Sequence, residues 1–140
     1  MGTSLDRFVD AQANGVYEQA LGEIQLGRKT SHWMWFVFPQ LAGLGRSETA
    51  RYYALASLSE ARAYLAHPVL GPRLRKAAAT ALEAPPDRSA EDLFGPIDAV
   101  KLQSCMTLFV RAAPHQAVFR DVLARFCGGA MDESTDALLT

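Results

Sequence analysis

The chain lacks most of the features that would place it at a glance. It has two cysteines, Cys105 and Cys127, far apart and each in an apolar helical pattern. That points to buried, reduced thiols in a cytoplasmic protein and away from a disulfide framework or a metal clip. Its three histidines, His32, His67 and His115, share no metal-ligand spacing with one another or with a cysteine. No apolar run approaches the roughly 20 residues that span a bilayer. The opening MGTSLDRFVD shows no signal-peptide pattern, and with Asp6 in place of the preferred hydroxyl it is a poor myristoylation match. There is no Gly-x-Ser-x-Gly elbow, no P-loop and no dinucleotide glycine fingerprint. The expectation is a protein without membrane partner, metal or cofactor.

What is present is an ordinary globular balance: 140 residues, 49% apolar and 21% charged. A chain of this size folds as one domain and buries about 68–70% of its unfolded surface. The net charge of −1 conceals an uneven distribution. Residues 1–27 carry one basic and four acidic side chains, residues 28–76 eight basic and two acidic, and residues 77–140 five basic and nine acidic. If the middle segment gathers its charge on one face it attracts an anion; if the acidic ends fold back, they neutralise it. The basic residues are spread among apolar ones instead of concentrated on a recognition helix, which argues against nucleic acid.

The periodicity is helical nearly throughout. Tyr17, Ala20, Leu21 and Ile24 form one stripe, with Gly15 as a break before it, Gly27 as its stop, and Phe8 and Gln12 in a turn or two upstream. Ser59 is placed to cap a short helix that Pro68 ends. Leu70, Leu74, Ala77, Ala78 and Ala81 follow as a second stripe. APPDRSAED is a loop in which Ser89 can cap the next helix. Leu102, Cys105, Met106 and Phe109 repeat the spacing, as do Phe119, Val122, Leu123 and Phe126, with Pro114 between them and CGG at the end. No segment alternates like a strand. These signals predict an all-α, compact single-domain bundle of about six to eight helices over residues 1–140.

Three stretches are distinctive. They are RFVDAQ leading to GRKTSHWMWFVFPQLAGLGRS, then EARAYLAHPVLGPRL, then FGPIDAVKLQSCMTLF. Together they resemble a bacterial family known as domain of unknown function 1810, from about Leu5 to about Leu139. The resemblance implies a compact, all-helical cytoplasmic domain with no assigned activity. Some members carry the label calpastatin, a disordered protease inhibitor, and nothing in this aromatic-rich, well-patterned sequence reads as disordered.

Three groups of residues can carry chemistry. In GRKTSHWMWFVFPQ, Trp33 or Trp35 can form a stacking wall, with Lys29 and His32 at one rim and Gln40 at the other. A flat anionic ligand such as a nucleotide wants that combination. The other reading is core, with the indole N–H groups on backbone carbonyls. In GLGRSETARYY, Gly45, Arg46 and Ser47 precede a helix whose N-terminus can hold an anion, or Ser47 is simply its cap. In FGPIDAVKLQSCMTLF, Asp98 shares the apolar stripe of Leu102, and Lys101 flanks it. Asp98 can act as a general base or ligand-positioning acid with Lys101 on an anion. It can equally sit in the first turn paired with Lys101 at i+3.

Two functions therefore stay open. One is a site that binds or hydrolyses a small anionic, nucleotide-like ligand, with Asp98 and His32 as catalytic candidates. Lys29, Trp33, Trp35, Gln40, Gly45, Arg46, Ser47 and Lys101 would be its binding residues. It requires the three segments to converge. The alternative is a non-catalytic structural or interaction domain whose motifs are core packing and helix caps.

Overall fold

Each long apolar stripe becomes one helix with its striped face buried. The computed structural model describes residues 5–139, so the N-terminal residues read above for a signal or myristoyl motif lie, up to Ser4, outside it. Among the described residues there are ten helices. They are α1 (Asp6–Gln12), α2 (Val16–Leu26), α3 (Met34–Val37), α4 (Glu48–Tyr52), α5 (Leu58–Ala66), α6 (Leu70–Leu82), α7 (Ala90–Phe94), α8 (Pro96–Ala112), α9 (Ala117–Phe126) and α10 (Glu133–Leu139). The all-α class stands. The count exceeds six to eight because α3, α4 and α7 span only four or five residues each, too short to show periodicity.

Local signals fix several of the ends. Gly27 closes α2 in the left-handed region at φ 84°, where a side chain would be strained. Ser89 and Asp92 form a reciprocal capping box on α7. The cap of α5 is Ser57, whose hydroxyl accepts from Glu60 N, and not Ser59, which lies inside the helix. Both serines precede the same apolar residues, and the cap goes to the one whose backbone is still extended. Among the described residues the nearest approach to a strand is an isolated bridge between Leu41 and Leu55.

The 17-residue α8 is the central element. It packs against α5, α7, α9 and α10, while α6 joins α2, α5 and α9 on the far side. Leu102, Cys105, Met106 and Phe109 are fully buried along it, as the stripe requires. Each such side chain contributes about 1.5–3 kcal/mol by leaving water. Of the six buried polar residues among those described, Gln12 and Glu23 carry the largest polar groups. Gln12 donates to Phe36 O at 2.7 Å and accepts from Arg73, so its amide is paired within the core. Glu23 is the other, and it shapes the candidate site. No helix among the described residues is long and apolar enough to cross a membrane.

Candidate functional site

One carboxylate gathers most of the hydrogen bonds that hold the segment between α2 and α3. Glu23, buried on the inner face of α2, accepts from Thr30 N (2.7 Å), Ser31 N (3.0 Å) and the Trp33 indole N–H (2.9 Å) through Oε1. Its Oε2 accepts from Ser31 Oγ at 2.6 Å and Gln19 Nε2 at 3.1 Å. Burial alone would raise its carboxyl, but the bonds from Ser31, Thr30 and Trp33 outweigh that and hold it at about 2, against an ordinary 4.5. Lys29 N donates to Leu93 O at 2.7 Å, which ties the same segment to α7.

Lys29 is thereby aimed at the start of α8. Its Nζ lies 2.8 Å from Asp98 Oδ2, and Lys101 Nζ lies 3.0 Å from Oδ1, so two ammonium groups share one carboxylate. The side chains are 9%, 16% and 18% exposed for Lys29, Asp98 and Lys101. Pro96 opens α8 and leaves Asp98 in its first turn, where a carboxylate suits the helix dipole. Burial pushes Asp98 upward, but hydrogen bonds from Lys29 and Lys101 and their charges prevail and hold it below its usual value. Asp98 therefore stands as a carboxylate with reduced basicity, and the three groups together carry one positive charge in excess.

The aromatic run divides at this point. Trp33 is 1% exposed and packs edge-on to Phe94, with Phe38 at 6.3 Å. Its ring is core, and its N–H meets a carboxylate where a backbone carbonyl was expected. Trp35 is half-buried, and Lys101 Nζ sits 4.0 Å from its ring centroid. Lys29 Nζ lies 5.3 Å from the Trp33 ring. Gly45 closes the group from the third segment: a Cβ there would lie 3.8 Å from Trp35 Cζ3 and 2.5 Å from Ala50 Cβ, so only glycine fits without a shift.

Lys29, Trp33, Trp35, Asp98 and Lys101 are thus linked by ion pairs and cation–ring contacts, with Gly45 beside Trp35. The other sequence-derived candidates stand apart from these contacts. His32 is exposed and hydrogen-bonds none of the described residues, so nothing there orients its imidazole. Gln40 is half-buried, and its backbone carbonyl accepts from Leu55 N at 2.9 Å. Arg46 is exposed, while the Ser47 hydroxyl accepts from Ala50 N as the cap of the five-residue α4. Glu23 was not among the candidates. Its signal was present: it stands at i+3 from Ala20, on the buried stripe, seven residues before a run of polar backbone donors. Among the described residues no three of His, Cys, Asp and Glu group as a metal site.

Comparisons with other proteins agree with this architecture. The model of the family described as "Protein of unknown function (DUF1810)" matches residues 2–139. The chain is similar to the conserved hypothetical protein Rv1873 from Mycobacterium tuberculosis, a crystal structure, at 50% identity and a TM-score of 0.93. The match covers 96% of this chain and 95% of that one. No curated protein matches.

Proposed function

The chain belongs to the DUF1810 family of unknown function, and from its own residues we propose that it binds a small anionic, ring-bearing ligand of nucleotide type at Lys29, Asp98, Lys101 and Trp35. The observation that carries this reading is the charge balance. Two ammonium groups bear on a single carboxylate, each at 3.0 Å or less and each largely withdrawn from water. Among the described residues one positive charge is left without a counterion, and a partly buried charge is costly until it is paired. An anionic oxygen bound there gains charge-assisted hydrogen bonds worth about 1.5–3 kcal/mol each. The half-buried Trp35 beside Lys101 offers apolar surface for a ring.

The same geometry favours binding over hydrolysis. Cleaving the N-glycosidic bond of a nucleotide-derived substrate builds positive charge on the sugar, and a net-positive cluster opposes that. Asp98, held as a weak base, is suited to positioning Lys29 and Lys101. Hydrolysis with Asp98 and His32 in catalytic roles needs the ligand's own phosphates to neutralise the lysines first.

The test is a thermal-shift screen against nucleotides, ADP-ribose, sugar phosphates and simple dianions. A ligand at about 100 times its Kd adds about 2.7 kcal/mol of stability. The expected result is a raised Tm that disappears in Lys101→Gln while the unliganded Tm is kept. Product analysis of any hit then decides between binding and turnover. A flat screen, with Asp98→Asn and Lys29→Met lowering the Tm, would instead make the cluster a staple between the α2–α3 segment and α8.

A further inference from the structure

An open cavity lies between α5 and the turn that joins α8 to α9, and none of the residues lining it belongs to the lysine cluster. Its volume is about 400 Å³, with Leu65, Ala66 and Ala112 giving an apolar floor and Arg62, His115 and Gln116 the polar groups. Ligand sites have this make-up: mostly apolar walls with a few placed polar groups, in volumes of about 300–1,000 Å³.

Each polar group is left with unused capacity. Arg62 Nε donates to Ala112 O at 3.2 Å, which fixes the guanidinium at the edge of the cavity. Its two Nη groups have no partner among the described residues, so the fork that suits a carboxylate is free. His115 is exposed at the same edge. Gln116 is the N-cap of the ten-residue α9, yet its side chain makes no capping bond and the first turn holds no acidic residue. The Gln116 Oε1 is buried and receives no donor among the described residues. A buried acceptor without a donor is uncommon and calls for an explanation. Rotation about the terminal amide torsion, which is soft, is required to bring that oxygen to the cavity that Gln116 lines.

We infer that this cavity binds a small carboxylate bearing a short apolar body and a hydrogen-bond donor, of the 2-hydroxy acid type. The carboxylate takes the Arg62 fork and the His115 edge, the aliphatic body covers Leu65 and Ala112, and the hydroxyl supplies the donor that Gln116 Oε1 lacks. A hydroxyl fits better than an ammonium group, which would face the guanidinium as a like charge.

The test is an NMR amide-shift titration with 2-hydroxy-4-methylpentanoate. 4-Methylpentanoate, which lacks the donor, and 3-methylbutan-1-ol, which lacks the carboxylate, are run beside it. The expected result is a saturable shift confined to residues 62–66 and 112–119. Loss of the carboxylate, or Arg62→Met, weakens binding by about ten-fold or more, and loss of the hydroxyl, or Gln116→Leu, by several-fold. Gln116→Leu should also raise the Tm of the unliganded protein, because it removes an unpaired buried acceptor. If Arg62→Met does not fold, Arg62→Lys keeps the charge without the fork and should still weaken binding. The absence of saturable shifts up to roughly 10 mM, a level at which so small a ligand should register, overturns the inference. So does binding indifferent to both Arg62 and Gln116.

Discussion

The indole N–H of Trp33 donates to Glu23 Oε1 at 2.9 Å, and the same oxygen accepts from Thr30 N and Ser31 N. One side chain on α2 therefore fixes both a core tryptophan and the backbone just before it. Lys29 immediately precedes these donors, so the carboxylate that orders the segment also sets the position of the ammonium group on Asp98.

Replacing Glu23 should be costly and pH-dependent. Glu23→Gln leaves donors facing an uncharged amide and should lower stability by about 2–3 kcal/mol at neutral pH. Glu23 titrates at about 2 in the fold against an ordinary 4.5. A depressed carboxyl stabilises the fold fully above its unfolded value and loses that contribution as pH falls through its folded value. The gap between the native chain and Glu23→Gln should thus narrow as pH drops from about 5 to about 2. Denaturant titrations across that range measure it.

Two glycines should respond in opposite directions to alanine. At Gly71 a Cβ would fall 2.0 Å from Leu65 O, a backbone atom that cannot move aside. Gly71→Ala should therefore cost about 3 kcal/mol or more, through separation of α5 from α6. Gly22, inside α2, has nothing within 4 Å of the added carbon. There alanine should stabilise by about 0.5–1 kcal/mol. Paired melting curves settle both.

Arg125 gathers the proline loop. Its guanidinium donates to Leu82 O, Ala84 O and Pro85 O at 2.7–2.9 Å. Arg125→Lys keeps the charge but has no planar fork, so it should recover less than half of the roughly 2–3 kcal/mol lost in Arg125→Ala. Denaturation midpoints of the two variants give the ratio.

Asp98→Asn should expose the repulsion between the two lysines. With the carboxylate gone, Lys29 and Lys101 face each other across a neutral amide, and the loss of about 1–3 kcal/mol should shrink as salt screens them. Stability at low and high salt, compared with the native chain, reads this out.

The parts of the fold legible in the sequence are those where one residue type has one physical outcome. The long stripes of α2, α6, α8 and α9 have a single face to bury, and Gly27 and Ser89 end or begin helices by local geometry alone. Asp98 and Lys101, one turn apart, pair as their spacing implies. The run SHWMWFVFPQ is apolar on most sides, so periodicity alone does not assign it, and it folds as a single helical turn with irregular flanks. Whether Trp33 or Trp35 faces the core depends on Glu23 and Phe94, neither of which the run itself contains. Glu23 stands on the buried stripe of α2, but its role is not legible because its partners are chiefly backbone donors that carry no side-chain signature. The sequence sets Lys29 at the rim of the aromatic run, while its partner, Asp98, comes from a helix 69 positions later in the chain.

The measurement that tests the anion site most directly is tryptophan fluorescence, because Trp33 is buried and Trp35 is the indole beside Lys101. ADP-ribose, nucleotides and sugar phosphates would be titrated into the native protein and into Lys101→Gln. The account predicts a saturable change in emission with at least one of them, weakened about ten-fold in the variant, as expected for loss of one charge-assisted hydrogen bond. Emission that stays unchanged with every one of these anions, or changes equally in both proteins, would contradict it.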